Sequence, residues 1–213
     1  MRIRPVGAHA LLLDCATPAL VEAWRSELWR RREQGDLIAV EIVPAARTVL
    51  LDGLPDPATT AQQLTRWASA VTAATTRPTK ANPEDDDAAD VVVPVSFDGP
   101  DLPAVAQHWG VDVSAVRHRI TSIRFRVAFC GFAPGFPYLT GLPAELALPR
   151  LATPRPRVPA GSVALAGPYA GIYPGASPGG WQLVGRTDLV LFDVAADPPA
   201  RLNPGTTVRM VAA

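Results

Sequence analysis

Two arginines stand two residues apart in the run Thr153-Pro154-Arg155-Pro156-Arg157-Val158-Pro159-Ala160-Gly161-Ser162. Proline locks its own φ and keeps the preceding residue out of the helical region, so the segment is extended and both guanidiniums are pre-set. A third arginine lies in Gly185-Arg186-Thr187. Guanidinium groups match the planar geometry of carboxylates and phosphates. Around them run two more turn-rich segments, Gly131-Phe132-Ala133-Pro134-Gly135-Phe136-Pro137-Tyr138 and Ser177-Pro178-Gly179-Gly180-Trp181. These residues describe a concave site built from loops. Phe132, Pro134, Phe136, Tyr138, Tyr173 and Trp181 supply walls, and Arg155, Arg157 and Arg186 face an anion. Gly161, Ser162, Gly179 and Gly180 bring backbone N–H groups near a developing oxyanion, with Ser177 and Thr187 beside them. The same segments also suit stiff, solvated loops of a proline-rich barrel, and the residues alone leave both readings open.

A nucleophile is harder to find. Gly175-Ala176-Ser177-Pro178-Gly179 matches G-x-S-x-G, but a nucleophile elbow needs a strand before it and a helix after it. Here Pro178 and Gly180 follow the serine, then the strand-like Trp181-Gln182-Leu183-Val184. All three histidines, His9, His108 and His118, precede Ser177, against the order of that fold. Ser177 is therefore a turn residue. No histidine has a partner at metal-ligand spacing. No Walker A or G-x-G-x-x-G sequence occurs, and Lys80 is the only lysine. A P-loop and a biotin attachment site are excluded on this chain. The catalytic acid and base stay unassigned.

The 20 basic and 20 acidic residues balance, which removes a global electrostatic argument for nucleic acid or an anionic membrane. Two cysteines, Cys15 and Cys130, fit a reduced cytoplasmic protein better than a disulfide scaffold. The first residues lack the apolar core of a signal peptide, and no apolar run reaches membrane-spanning length.

The elements that must position the site divide in two. Residues 1–95 read as a small α+β domain in the order β-α-β-β-α-β, of split βαβ type. Thr17-Pro18 and Asp56-Pro57 open its helices, and Leu20, Trp24, Leu28 and then Leu64, Trp67, Ala68, Val71 form apolar stripes. Val91–Val95 is its last expected strand. Residues 74–90, with two prolines and four consecutive acids, read as a mobile surface loop. Residues 96–213 read as a β-rich domain. Two short helical pieces split by Gly110 come first. Then Ile123, Phe125, Val127 and Phe129 alternate with polar residues, as on a strand with one buried face. Short strands between Gly/Pro turns follow, including one expected at 189–194, so this half predicts a barrel or sandwich.

The runs GFAPGFPYLTGLP (131–143), PRLATPRPRVPAGSVALAG (149–167), GIYPGASPGGWQLVGRTDLVLFD (171–193) and PPARLNPGTTVRM (198–210) resemble the carboxyltransferase subdomain C/D family. That family includes allophanate hydrolase subunit 1, the B subunit of 5-oxoprolinase and a Kip-type inhibitor of a histidine kinase. The resemblance implies a cyclophilin-like β-barrel after the α+β domain. It implies a larger homologous partner, of the type of allophanate hydrolase subunit 2 or the C subunit of 5-oxoprolinase, and a third, lactam-opening subunit. The complex would use ATP, with no metal or biotin site on this chain. The alternative it implies is a kinase regulator docking through Tyr138, Tyr173 and Trp181. One position departs from the pattern: the family usually has a His where Ile120 stands. If 118 and 120 lie on a strand they share a face, and His118 stands in for it.

Overall fold

A computed structural model of the chain describes residues 1–76 and 91–213. It divides into two compact units, Met1–Pro83 and Glu84–Ala213.

In the first unit the strands are β1 (Arg2–Val6), β2 (Ala10–Asp14), β3 (Glu41–Pro44) and β4 (Thr48–Asp52). They form one antiparallel sheet in the order β1-β2-β4-β3. Helix α1 (Pro18–Glu33) links β2 to β3, and α2 (Pro57–Thr76) follows β4. The helix starts are set by local chemistry. Thr17 accepts from the Leu20 N–H at 3.2 Å, and Asp56 accepts from the Ala58 and Thr59 N–H groups. Val21, Trp24 and Leu28 of α1 and Leu64 and Val71 of α2 are buried with Leu11, Leu13, Val49 and Leu51 of the sheet. Because β2 and β3 both run antiparallel to the intervening β4, they are parallel to each other across α1.

Two expectations change. Val91–Val95 does not complete this sheet, and the sheet gains β1 instead, whose charged and proline-containing sequence has no apolar signal. Residues 74–76 belong to α2; the rest of the expected loop lies outside the described residues.

The second unit opens with β5 (Val91–Val95), then α3 (Leu102–Trp109) and α4 (Val113–Ser122). Next come β6 (Arg124–Cys130), β7 (Pro137–Thr140), β8 (Arg155–Val158), β9 (Ser162–Ala166) and β10 (Tyr169–Ile172). The last strands are β11 (Ser177–Gly179), β12 (Gln182–Arg186) and β13 (Thr207–Ala212). Seven of these strands form a sheet in the order β12-β9-β10-β7-β6-β13-β5. Strand β5 pairs in parallel with β13, Val91 opposite Val208, because each places an apolar face on the same core. The two edges then meet. Ser96 N–H donates to the Arg186 carbonyl at 2.8 Å and Arg186 N–H to the Ser96 carbonyl at 2.9 Å, so the sheet is a nearly closed barrel. Closure removes free edges and their unpaired N–H and C=O groups. Phe125, Val127, Leu139, Leu165, Ile172, Val184 and Met210 fill the core with Val116 and Ile120 of α4.

The expected strand at 189–194 is absent. With the sheet edges joined, its backbone turns to loop partners. Leu189 N–H donates to the Thr187 hydroxyl, and the Leu191 carbonyl accepts from Arg201 N–H. Strands β8 and β11 form a separate antiparallel ribbon, Ser177 opposite Val158 and Gly179 opposite Arg155. The prolines that predicted extended backbone around Arg155 and Arg157 thus lie in and beside a short strand.

Candidate functional site

The ribbon contributes to two depressions. The larger is a cavity of about 410 Å³ lined by the turn Asp98-Gly99-Pro100, by Arg155 and Arg157 of β8, by Pro159, Ala160 and Ser162, and by Leu183, Gly185 and Arg186 of β12. All three sequence-predicted arginines converge there. The 98–101 turn can approach β12 because position 99 is glycine; a Cβ would strike the backbone at Leu183 and Val184.

Asp101 organises this wall. It precedes α3, yet its side chain does not cap that helix. One carboxylate oxygen accepts from Arg155 Nη2 at 2.6 Å, and the other from the Leu183 N–H at 2.6 Å. Asp101 is 8% exposed, so both oxygens need these partners. Arg155 Nη1 is buried without an acceptor among the described residues. Arg186 Nε donates to Asp98 at 2.9 Å in a pair open to solvent, and this bond raises the Arg186 pKa further. Sequence reasoning passed over Asp98 and Asp101. An Asp ahead of a helix signals a cap, and nothing local announces a bond to Arg155 on a distant ribbon.

The smaller depression, about 70 Å³, is lined by Phe132, Phe136, Tyr138, Arg150, Tyr173, Pro178, Gly179, Gly180 and Trp181. Phe136 is its centre. Its ring meets Tyr173 at 5.1 Å and Trp181 at 5.5 Å between centroids, both edge to face. This is the favoured geometry for ring quadrupoles. Phe136 and Tyr173 are each 1% exposed, whereas Phe132 is 63% exposed. Phe132 has φ +69°, and the Ala133 N–H closes a three-residue turn onto the Gly131 carbonyl at 2.8 Å. A left-handed, solvent-facing phenylalanine is strained backbone held by its surroundings. Gly179 leaves room for the Tyr173 hydroxyl, which a Cβ there would overlap. Burial pushes the Tyr173 phenol up, with nearby Arg150 opposing. Arg150 was also missed; it sits in an unpatterned loop.

The remaining predicted residues go elsewhere. Pro134 and Gly161 line neither depression. The Gly161 N–H donates to the Tyr173 carbonyl at 2.7 Å and the Ser162 N–H to the Pro159 carbonyl at 3.4 Å. Those two N–H groups are engaged within the chain. Thr187 is buried, its N–H bonded to the Gly161 carbonyl, and it lines a separate cavity of about 260 Å³ with Ser96, Asp188 and Ala213. Ser177 Oγ is buried without a partner among the described residues. His118 cannot stand in for Ile120. Both lie on helix α4, where residues two apart point to different sides; Ile120 is fully buried and His118 exposed.

Burial raises the thiols of Cys15 and Cys130 to about 11, so neither is a ready nucleophile at neutral pH. Among the described residues no group of three His, Cys, Asp or Glu side chains could hold a metal ion. Among them too, no helix is long and apolar enough to cross a membrane.

The family model of the carboxyltransferase domain, subdomain C and D, matches residues 1–202. A protein of Escherichia coli O157:H7, named as the B subunit of 5-oxoprolinase, is 51% identical over 124 residues, 57% of each chain. A protein of the same name from Haemophilus influenzae is 35% identical over 219 residues, covering 99% of this chain and 97% of that one. Among solved structures, TTHA0988 superposes with a TM-score of 0.72 at 31% identity, covering 100% of this chain and 40% of its own. The match thus spans just over half of the Escherichia coli relative and less than half of TTHA0988.

Proposed function

The chain belongs to the carboxyltransferase subdomain C and D family, and on that premise we propose that it is the smaller subunit of a heteromeric, ATP-dependent amide or lactam hydrolase, equivalent to the B subunit of 5-oxoprolinase. The observation that carries this reading is the convergence of Arg155, Arg157 and Arg186 on one cavity of about 410 Å³, a volume suited to a small substrate. These arginines lie in the sequence runs that carry the family resemblance, and relatives of this chain bear the 5-oxoprolinase name.

In this proposal the barrel is of the cyclophilin type, and the chain supplies half of a site. Among the described residues it offers cationic and aromatic walls but no side chain tuned as general acid or base. A larger homologous subunit completes the site, a third subunit opens the lactam, and ATP is consumed by the complex in the cytoplasm. Arg155 and Arg157 orient the substrate; the aromatic depression beside the ribbon shields the reacting group from water.

The test is co-expression with the larger partner and the third subunit, followed by assay of ATP-dependent glutamate release from 5-oxoproline. Arg155→Ala should lower turnover by an order of magnitude or more, the usual scale for losing an orienting charged contact, about 2 kcal/mol. A reconstituted wild-type complex with no glutamate release would remove the reading.

A further inference from the structure

Two of the three arginines around the charged cavity already hold a carboxylate. Arg155 is paired with Asp101, whose second oxygen is committed to the Leu183 N–H. Arg186 is paired with Asp98 and also feels Asp188. Arg157 has no carboxylate partner among the described residues, and it lines the cavity. Among the described residues the wall therefore carries one cation without a carboxylate partner. Asp98 itself lines the cavity and repels further negative charge.

We propose that this cavity binds a single monocarboxylate, seated on Arg157 beside the anchored Arg155, and that Asp98 and Asp101 are positioning residues that set this limit on charge. The inference rests on the proposed lactam-hydrolase role and deepens it: the cavity takes the carboxylate of the substrate, not the phosphates of ATP. The triphosphate of a nucleotide brings several charges, whereas Arg155 and Arg186 keep N–H donors to spare but already have their charge balanced by aspartates, so full pairing of Arg155 with phosphate draws it away from Asp101. Such exchange leaves Asp101, which is 8% exposed, as a buried carboxylate without its cation, a costly state. A monocarboxylate needs no exchange. The lactam of a cyclic amino acid carries one carboxylate, and the cavity volume of about 410 Å³ accommodates it.

The test is equilibrium binding to the full chain, followed by NMR, with three probes: 5-oxoproline, 2-pyrrolidinone (the same lactam without the carboxylate) and ATP. The expected result is that 5-oxoproline shifts the resonances of residues 98–101 and 155–157, and that 2-pyrrolidinone binds at least about tenfold more weakly, the scale of one charge-assisted contact. Arg157→Gln should abolish the preference, and Arg157→Lys should restore part of it. Asp98→Asn, which frees Arg186, should narrow the gap between 5-oxoproline and ATP. Equal binding of the two lactams, absence of any shift with 5-oxoproline, or displacement of 5-oxoproline from these residues by ATP in the wild-type chain would overturn the proposal. Failure of the functional reading is seen separately. A carboxylate preference without turnover in the reconstituted complex removes the hydrolase role and leaves the site; turnover without that preference does the reverse.

Discussion

In the charged cavity the walls are set by ion pairs, one between Arg155 and Asp101 with little exposure and one between Arg186 and Asp98 open to solvent. In the aromatic depression they are set by rings, with Phe136, Tyr173 and Trp181 all at most 5% exposed. The rings belong to a core cluster with Val158, Ala164 and Leu183. That depression is thus part of what holds the barrel and ribbon together. The charged cavity is laid over the same framework and contributes less to its stability. A wall made of core rings ties recognition to folding, whereas a wall whose outer ion pair is exposed lets charge and specificity change there while the fold persists.

Four substitutions test that contrast. Phe136→Ala should cost the most, about 3–5 kcal/mol in denaturant unfolding, because it removes a buried ring that meets four others. A loss under about 1 kcal/mol would show that the rings are not core. Asp101→Ala should cost about 2 kcal/mol, since it strands Arg155 and the Leu183 N–H together. It should also raise the KM for 5-oxoproline in the complex while leaving kcat less affected; an equal fall in both kcat and kcat/KM would mean general disorder of the wall. Phe132→Gly should stay within about 1 kcal/mol of the parent, relief of left-handed backbone offsetting the lost ring contacts and glycine's greater chain freedom. Thermal unfolding reads that balance, and turnover of the complex should drop because the exposed ring is gone. Asp98→Asn should change stability least, within about 0.5 kcal/mol, because its pair with Arg186 is exposed on both sides. A larger loss in urea titration would place that pair with the structural ones.

Much of the frame was legible in the chain. Helix starts at Thr17 and Asp56 are written in cap chemistry acting over three residues. The alternation of Phe125, Val127 and Phe129 is the strand period itself, and the structure buries those three. The arginines in proline-stiffened backbone were found because proline acts on its immediate neighbours. The site was legible only in part. One imagined site proved to be two depressions, since a ribbon pairing, Gly179 with Arg155, decides which residues share a wall. His118 and Ile120 were expected on one face because a strand was assumed; helix α4 separates them.

The linear chain specifies turn positions, the apolar periods, the aromatic and cationic inventory and the absence of a P-loop, all of which depend on residue type and short spacing. Its tertiary structure decides the rest. Val91–Val95 joins the barrel by pairing with Thr207–Ala212, a contact between opposite ends of that unit. Asp101 reaches Arg155, and Ser96 closes onto Arg186. Such partners are chosen by closing long loops around a shared core, and the energy of that choice is spread over many buried side chains that no local pattern contains.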